Sequence, residues 1–97
     1  MRIRNTSAVD QEIVEAVAYY LNEHSPQSAE RFDNLLKSTI EEISENPFLC
    51  PILDENVRVK FLSPFPFSIP YSIEEAEIVI VALAHQKRKA GYWKKRL

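Results

Sequence analysis

The sequence predicts an α+β domain in which a helical hairpin packs on one face of a small, mainly antiparallel sheet. Two amphipathic helix patterns occupy the N-terminal half, and alternating strand patterns follow in the C-terminal half. The predicted order is β-α-α-β-β-β, with a basic C-terminal segment after the last strand. Because helices and strands occupy separate parts of the chain, the class is α+β.

The first helix pattern covers residues 8–23, after a short strand predicted at residues 2–4. Ser7 is a suitable N-cap, and Asp10 stands three positions later as its capping-box partner. Apolar side chains recur at helical spacing through this range, so we expect one face of the helix to be buried.

The second helix pattern begins at Ser25 and Pro26, since Ser is a favoured N-cap and Pro is favoured at the first helical position. Its apolar stripe continues to Ile43, and Pro47 ends the helix because the residue before a proline avoids helical geometry. The link between the two helices is very short, which predicts an antiparallel hairpin.

Residues 46–56 are predicted to form a loop. Three of its apolar side chains are expected to tuck under the edge of the core: Phe48, Leu49 and Ile52. Residues 57–62 alternate between apolar and polar side chains, which is typical of a half-buried strand. Arg58 and Lys60 share one side of this strand, and we expect that side to be open.

A β-hairpin is predicted where residues 65–73 and 77–84 flank a short acidic turn. In the first strand the large apolar side chains alternate with small ones, so the large ones should meet the helices and the other face should be open. Pro70 cannot donate to a ladder, so a bulge or a local gap in pairing is expected there. Residues 78–84 are apolar on both faces, which predicts the centre of the sheet.

The composition is that of one domain covering residues 1–97, with 45% hydrophobic and 27% charged residues. No apolar run approaches the roughly 20 residues of a membrane span, and the N-terminus lacks the apolar stretch of a secretory signal. We therefore expect a cytoplasmic protein without a membrane partner. The lone Cys50 agrees with this expectation and is interpreted as a packing residue.

Charge is distributed unevenly along the chain. The net charge is −2, but residues 86–97 contain six Lys or Arg and no acid, so the other residues carry about −8. A cluster of cations can hold a phosphate backbone. The alternative is a solvated C-terminal helix that only keeps the protein in solution.

The sequence contains little that could hold a metal or a cofactor. His24 and His85 are the only histidines, neither lies in a Cys or His cluster, and His24 is explained as a cation at a helix C-terminus. A single glycine rules out a Gly-rich phosphate loop. We therefore expect no metal and no cofactor.

Arg58, Lys60, His85, Arg88 and Tyr92 suit one reaction, the cleavage of RNA by its own 2′-hydroxyl without a metal. This reaction needs a base, an acid and cations for the charge that develops on phosphorus. His85 can serve as base or acid, the arginines can clamp phosphate, and Tyr92 can stack or donate a proton. The hypothesis requires four of these side chains to gather around one phosphate-sized spot: Arg58, His85, Arg88 and Tyr92. Further substrate-binding cations are expected at Lys60, Lys87, Lys94 and Lys95.

Each of these residues also has a purely structural interpretation. Lys60 can protect an edge strand against aggregation, and His85 can simply end a strand. Arg88 can pair with an acidic residue. Trp93 is more readily explained as an anchor that holds the tail to the sheet.

The chain resembles the RelE/ParE toxin family of bacterial toxin–antitoxin modules, often called plasmid stabilisation proteins. The resemblance covers nearly the whole length and depends on the order and spacing of its motifs. These are Ala16 with Tyr19-Tyr20; Ala29, Phe32, Ile43 and Asn46-Pro47; Arg58; Phe65-Pro66-Phe67, Ile69 and Tyr71; residues 78–82; and His85, Arg88 and Tyr92-Trp93.

The resemblance implies one of two activities. RelE-like members cut messenger RNA on the ribosome, whereas ParE-like members poison DNA gyrase without a nuclease site. By position, Arg58, His85, Arg88 and Tyr92 match family positions at the active face, so we rank the ribonuclease slightly ahead. A toxin-like fold without activity is a third interpretation. Departures from the family pattern occur at Pro70 and at residues 89–91.

The resemblance also implies a cognate antitoxin. Its toxin-binding segment should be acidic and amphipathic, so that it offsets the basic C-terminal segment. We expect it to cover apolar sheet surface such as Val79 and Val81.

Overall fold

Two helices cover one face of a six-stranded sheet in the computed structural model, which describes residues 1–97. In chain order the elements are β1 (Arg2–Asn5), α1 (Ser7–Glu23), α2 (Pro26–Glu45), β2 (Ile52–Asp54), β3 (Val57–Phe61), β4 (Phe67–Glu74), β5 (Glu77–Ile80), β6 (Ala84–His85) and a C-terminal 3₁₀ helix (Tyr92–Arg96). The strand order is β1-β5-β4-β3-β2, with β6 also on β4, and only the β1–β5 pair is parallel. The predicted α+β class, element order and mainly antiparallel sheet are confirmed. Neither helix is long and apolar enough to cross a membrane.

Both helices have side-chain N-caps. Ser25 caps α2 as predicted, since its Oγ accepts a hydrogen bond from the Ser28 N–H at 3.0 Å. The prediction for α1 is wrong by one position, because Thr6 is the cap and its Oγ1 accepts from the Val9 N–H at 3.4 Å. Asp10 accepts from the Asn5 side chain instead of completing a capping box.

The main core lies between the helical hairpin and the sheet. Tyr20 of α1 stacks on Phe32 of α2 with ring centroids 5.0 Å apart, and Phe65 meets Phe32 edge-on at 5.2 Å. Ile69 and Tyr71 of β4 are fully buried in the same cluster. The predicted alternation of β4, with its large side chains toward the helices, is therefore confirmed.

The gap in pairing expected at Pro70 is also confirmed. β5 ends with Ile80 opposite Tyr71, and pairing along this side of β4 resumes only where Ala84 lies opposite Ser68. In between, the Val81 N–H donates to the Pro70 carbonyl at 2.9 Å. The strand predicted over residues 78–84 is thus divided into β5 and β6, and it holds the predicted central position between β1 and β4.

The prediction for residues 46–56 is wrong in two respects. Ile52–Asp54 forms the edge strand β2, paired with β3 through a register shift. Phe48, Leu49 and Ile52 do not tuck under the core but are all exposed. The Phe48 ring lies 5.3 Å from the Arg58 guanidinium, a cation–π contact outside the apolar core.

Candidate functional site

The C-terminal segment (residues 86–97) folds back over the sheet face opposite the helices. Its 3₁₀ helix, Tyr92–Arg96, buries Trp93, which is only 4% exposed. Trp93 packs against a second apolar cluster made of Val57, Val81, Ala82 and Ala84. The prediction of an open second face is wrong for Pro70 and Ser72, which are both buried. Apolar side chains on this face need a cover, and the C-terminal segment supplies it.

A carboxylate on α1 ties the C-terminal segment to the body of the protein. The Arg96 guanidinium donates to both oxygens of Glu12, at 3.0 Å to Oε1 and 3.1 Å to Oε2. The Tyr92 hydroxyl donates to Oε2 at 2.5 Å, and the Leu83 N–H donates to Oε1 at 3.1 Å. Four hydrogen bonds therefore converge on one carboxylate, and three of them come from the C-terminal segment.

The hydrogen bonds around Glu12 shift the pKa values of Glu12 and Tyr92. Burial raises the pKa of Glu12, but the hydrogen bonds from Arg96, Tyr92 and Leu83 outweigh it and leave the pKa below its usual value. Burial and the hydrogen bond to Glu12 raise the pKa of Tyr92 to about 12. At neutral pH the Tyr92 phenol therefore keeps its proton and donates a hydrogen bond to Glu12.

The Tyr92 ring also organises two cations. The Arg88 guanidinium lies 3.8 Å from the ring centroid, and the Arg96 guanidinium lies 5.1 Å from it. The backbone N–H of Arg88 donates to the His85 carbonyl at 3.0 Å. Arg96 forms an ion pair with Glu12, whereas Arg88 is exposed and has no carboxylate partner. Of the two cations on the Tyr92 ring, Arg88 is therefore the one available to a ligand.

Glu12 lies in the first predicted helix, but no role was predicted for it from the sequence. A signal was available, because Glu12 follows Val9 by three positions and precedes Ala16 by four. Val9 and Ala16 are both buried, so helical spacing puts Glu12 on the apolar stripe. A lone carboxylate on such a stripe indicates a partner elsewhere in the chain.

The prediction that Arg58 and Lys60 lie on an open face is wrong. In the β3–β4 register, Arg58 lies opposite Tyr71 and Lys60 lies opposite Ile69, and both partners belong to the core under the helices. Val57 is buried in the second cluster, on the other face. Since side chains alternate along a strand, the two cations must point to the helix side.

Both cations are already engaged on the helix side. Arg58 Nη1 donates to the Cys50 carbonyl at 2.6 Å and to the Phe48 carbonyl at 3.2 Å. Lys60 forms an ion pair with Glu42 of α2 at 3.1 Å. Arg58 therefore secures the loop after α2, and Lys60 joins the sheet to that helix.

His85 lies at the end of β6, close to the start of the C-terminal segment. Its Nδ1 accepts a hydrogen bond from the Lys87 N–H at 3.0 Å, which leaves Nε2 as the free ring nitrogen. Its ring meets Phe67 edge-on at 4.9 Å. The imidazole is thus held in one orientation, half-buried.

The three remaining predicted substrate-binding lysines differ in their surroundings. Lys94 forms an ion pair with Asp54 of β2 at 2.5 Å, which lowers the pKa of that carboxyl. Lys87 and Lys95 are exposed and belong to no ion pair. No group of three or more His, Cys, Asp or Glu side chains lies close enough to hold a metal ion.

A cleft of about 400 Å³ opens between the edge of the sheet and the C-terminal segment, and we call it the C-terminal cleft. His85, Arg88 and Tyr92 line it, but Arg58 does not, so the prediction that all four gather at one spot is wrong for Arg58. Most of the cleft is apolar, and three exposed apolar side chains belong to its wall: Ile52, Leu53 and Phe61.

The apolar surface that the sequence suggested for an antitoxin lies elsewhere than expected. Val79 and Val81 are buried, with Val81 in the cluster covered by Trp93. They therefore offer no surface to a partner. The exposed apolar side chains of the sheet lie instead on β2 and β3, at the C-terminal cleft.

The lowered pKa of Glu12 predicts a specific pH dependence. Between that lowered pKa and the ordinary value of 4.5, the unfolded chain binds more protons than the folded one, so this stabilisation is complete above 4.5 and is lost as the pH falls through the folded-state pKa. Glu12→Gln cannot titrate. We expect the difference in free energy of unfolding between wild type and Glu12→Gln to narrow when urea denaturation is repeated from about pH 7 down to about pH 3. A constant difference across this range would contradict the assignment.

Comparison with known proteins agrees with this architecture. A family model described as the ParE toxin of the type II toxin–antitoxin system, parDE, matches residues 3–90. A solved structure described as the chromosomal ParDE TA system from P. aeruginosa is similar, with a TM-score of 0.78 and 18% identity over 88% of this chain and 95% of that chain. No curated protein sequence matches the chain.

At 18% identity the structural likeness shows the shared fold. The family model shows more, because it extends from β1 through both helices and all remaining strands into the C-terminal segment. The resemblance to RelE/ParE toxins is confirmed, and a cognate antitoxin is implied as partner. The chain belongs to the ParE family, the toxins of type II toxin–antitoxin systems.

Proposed function

We propose that this toxin inhibits growth by binding DNA gyrase rather than by cutting messenger RNA. The observation that carries the proposal is the separation of the groups that a nuclease needs. Arg58 contacts backbone carbonyls on the helix side, whereas Arg88 lies on the Tyr92 ring at the C-terminal cleft. The Tyr92 hydroxyl is bound to Glu12 and its pKa is about 12, so it is poorly suited to donate a proton to a leaving group.

The C-terminal cleft has the character of a protein-binding surface. Phe61 is 72% exposed and Leu53 is 63% exposed, although both are large apolar side chains. Exposed apolar side chains gathered around a cavity mark interaction sites, and aromatic and arginine side chains contribute most of the energy at such sites. Phe61 and Arg88 together fit a protein target with an apolar anchor and an acidic neighbour.

The same surface suits the cognate antitoxin. An acidic amphipathic segment could place apolar side chains against Phe61 and carboxylates near Arg88 and Lys89, which line the cleft and have no ion-pair partners. Antitoxin and gyrase then compete for one site, in the cytoplasm where both are made. This competition explains neutralisation without a second binding surface.

A ribosome-dependent endoribonuclease is the second candidate. It is favoured by one observation, namely that His85, Arg88 and Tyr92 line a single cleft. In this mechanism His85 acts as base or acid through Nε2, Arg88 stabilises the phosphorane, and Lys87 and Lys95 hold the RNA backbone. Tyr92 must then leave Glu12 before it can act.

A supercoiling assay with purified gyrase and purified toxin tests the first candidate. We expect the wild-type toxin to inhibit supercoiling. The Phe61→Glu variant should require a concentration about tenfold higher or more for the same inhibition, because a charge replaces the apolar anchor. Leu21→Glu is the matched control, since Leu21 is an exposed apolar residue of α1 outside the cleft. It should inhibit like wild type.

Induction in cells separates the two candidates. Mapping of message ends should reveal intact transcripts during growth arrest if gyrase is the target. Cut transcripts that disappear with His85→Ala or Arg88→Ala, together with unaffected supercoiling, would replace the gyrase proposal by the ribonuclease. Harmless overexpression of a folded wild-type chain would contradict both.

A further inference from the structure

A second groove lies on the helix side of the protein, away from the Glu12 network. It is formed by the end of α1, the start of α2, the turn before β4 and residues 85–87, and we call it the α1–α2 groove. Its volume is about 590 Å³, within the range of roughly 300–1,000 Å³ found for small-molecule sites. The gyrase proposal uses no residue of this groove, whereas the ribonuclease candidate shares His85 and Lys87 with it.

The α1–α2 groove is lined by cations and imidazoles and by no carboxylate. Arg31 and Lys87 line it together with His24 and His85. Neither Arg31 nor Lys87 belongs to an ion pair. Two unpaired cations that share one groove, in a chain with a net charge of −2, favour an anionic ligand.

The remaining polar groups of the groove point to the same kind of ligand. Arg31 Nη2 makes only one weak contact, to the Ser28 hydroxyl at 3.4 Å. Ser28 belongs to the first turn of α2, a helix of 20 residues whose N-terminus carries partial positive charge. His85 commits Nδ1 to the Lys87 N–H, so Nε2 remains to donate a hydrogen bond.

An exposed aromatic ring adds a second recognition element. Tyr19 lines the α1–α2 groove and is 52% exposed. Its ring is braced by edge-on contacts with Tyr20 at 5.2 Å and with His24 at 5.5 Å. A braced, exposed ring beside free cations is suited to stacking on a planar base while the cations hold a phosphate.

We propose that the α1–α2 groove binds a nucleoside phosphate, with the phosphate on Arg31 and Lys87 and the base on Tyr19. The ligand can be a free nucleotide or one unit of a single-stranded nucleic acid, because both present the same chemistry. The proposal does not depend on the identity of the growth-inhibition target. It adds a second binding site to a toxin whose implied partner, the cognate antitoxin, is a protein.

Fluorescence anisotropy tests the proposal with two labelled probes, ATP and single-stranded DNA of about eight nucleotides. We expect Tyr19→Ala to weaken binding about fivefold or more, and Tyr19→Phe to bind like wild type because its ring still stacks. Arg31→Gln and Lys87→Gln should each weaken binding and lower the salt slope for DNA by about one. Binding of ATP as tight as that of DNA indicates a free nucleotide, and tighter binding of DNA indicates a strand.

Arg2→Gln is the matched control, since Arg2 is an exposed cation without an ion pair and lies outside the groove. Circular dichroism checks that each variant folds. The proposal is overturned if Arg2→Gln weakens binding as much as Arg31→Gln does. It is also overturned if Tyr19→Ala leaves binding unchanged while inorganic phosphate or a Glu-rich peptide competes as well as ATP.

Discussion

Replacing Trp93 by alanine is expected to lower the free energy of unfolding by about 3–5 kcal/mol, the range for loss of a large buried aromatic side chain. Trp93 is the largest residue of the second apolar cluster and covers Val57 and Val81. Its removal leaves a cavity and exposes the sheet face that the C-terminal segment protects. Urea denaturation followed by circular dichroism measures the effect, because the chain has no other tryptophan for fluorescence.

Lys95→Ala is the control for Trp93→Ala, since Lys95 lies in the same 3₁₀ helix but is exposed and unpaired. Its effect should stay within about 0.5 kcal/mol. A loss below about 1 kcal/mol for Trp93→Ala would mean that the segment contributes little to the stability of the sheet.

Glu12→Ala is expected to lower the free energy of unfolding by about 2–3 kcal/mol. Removing one partner of a fully buried ion pair costs about 3–5 kcal/mol. The expected loss is smaller here because the side chains of Glu12 and Arg96 are 11% and 21% exposed, so that solvent screens their interaction. The substitution leaves the Arg96 guanidinium, the Tyr92 hydroxyl and the Leu83 N–H without their acceptor. Urea denaturation at neutral pH measures the loss.

Glu15→Ala provides the comparison for Glu12→Ala, because Glu15 lies on the same helix and is exposed with only a 3.5 Å contact to Gln11. We expect a change within about 0.5 kcal/mol. If Glu12→Ala also changed the free energy of unfolding by no more than this, the hydrogen-bond network around Glu12 would have no role in stability.

The two large effects should not be additive. Trp93 and Glu12 hold the same C-terminal segment, one through the apolar cluster and the other through Tyr92 and Arg96. Once either is removed, the segment is partly released and the second contact contributes less. The double variant should therefore lose less stability than the sum of the single variants, by about 0.5–3 kcal/mol, the usual coupling between contacting groups.

Loss of the segment also bears on function. Tyr92 positions Arg88 and forms one wall of the C-terminal cleft, so Glu12 acts on that surface through Tyr92. Glu12 is thus a positioning residue for a site that it does not line. Growth inhibition should fall in Glu12→Ala even at temperatures where the variant is folded.

Much of the fold was predictable because the signals are local. Helical spacing and caps placed both helices to within one or two residues, and Pro70 correctly marked the break between β5 and β6. β2 was missed because its three residues carry too little pattern, and its pairing depends on the position of β3.

The candidate site was predicted less well, and Arg58 illustrates why. Alternation showed correctly that Arg58 and Lys60 share one side of β3. It could not show which side faces the helices, because Val57 and Val59 are as apolar as a core-facing pair and the second cluster that receives Val57 is built by distant residues.

The sequence by itself determined where the helices and strands lie and which side chains share a face, because periodicity and capping act over a few residues. Only the tertiary structure decided which strand face carries the site and which carboxylate binds the C-terminal segment. Glu12 and Tyr92 lie 80 positions apart, and no local pattern can bring them together. That contact forms because the C-terminal segment must fold back to cover the second apolar face of the sheet.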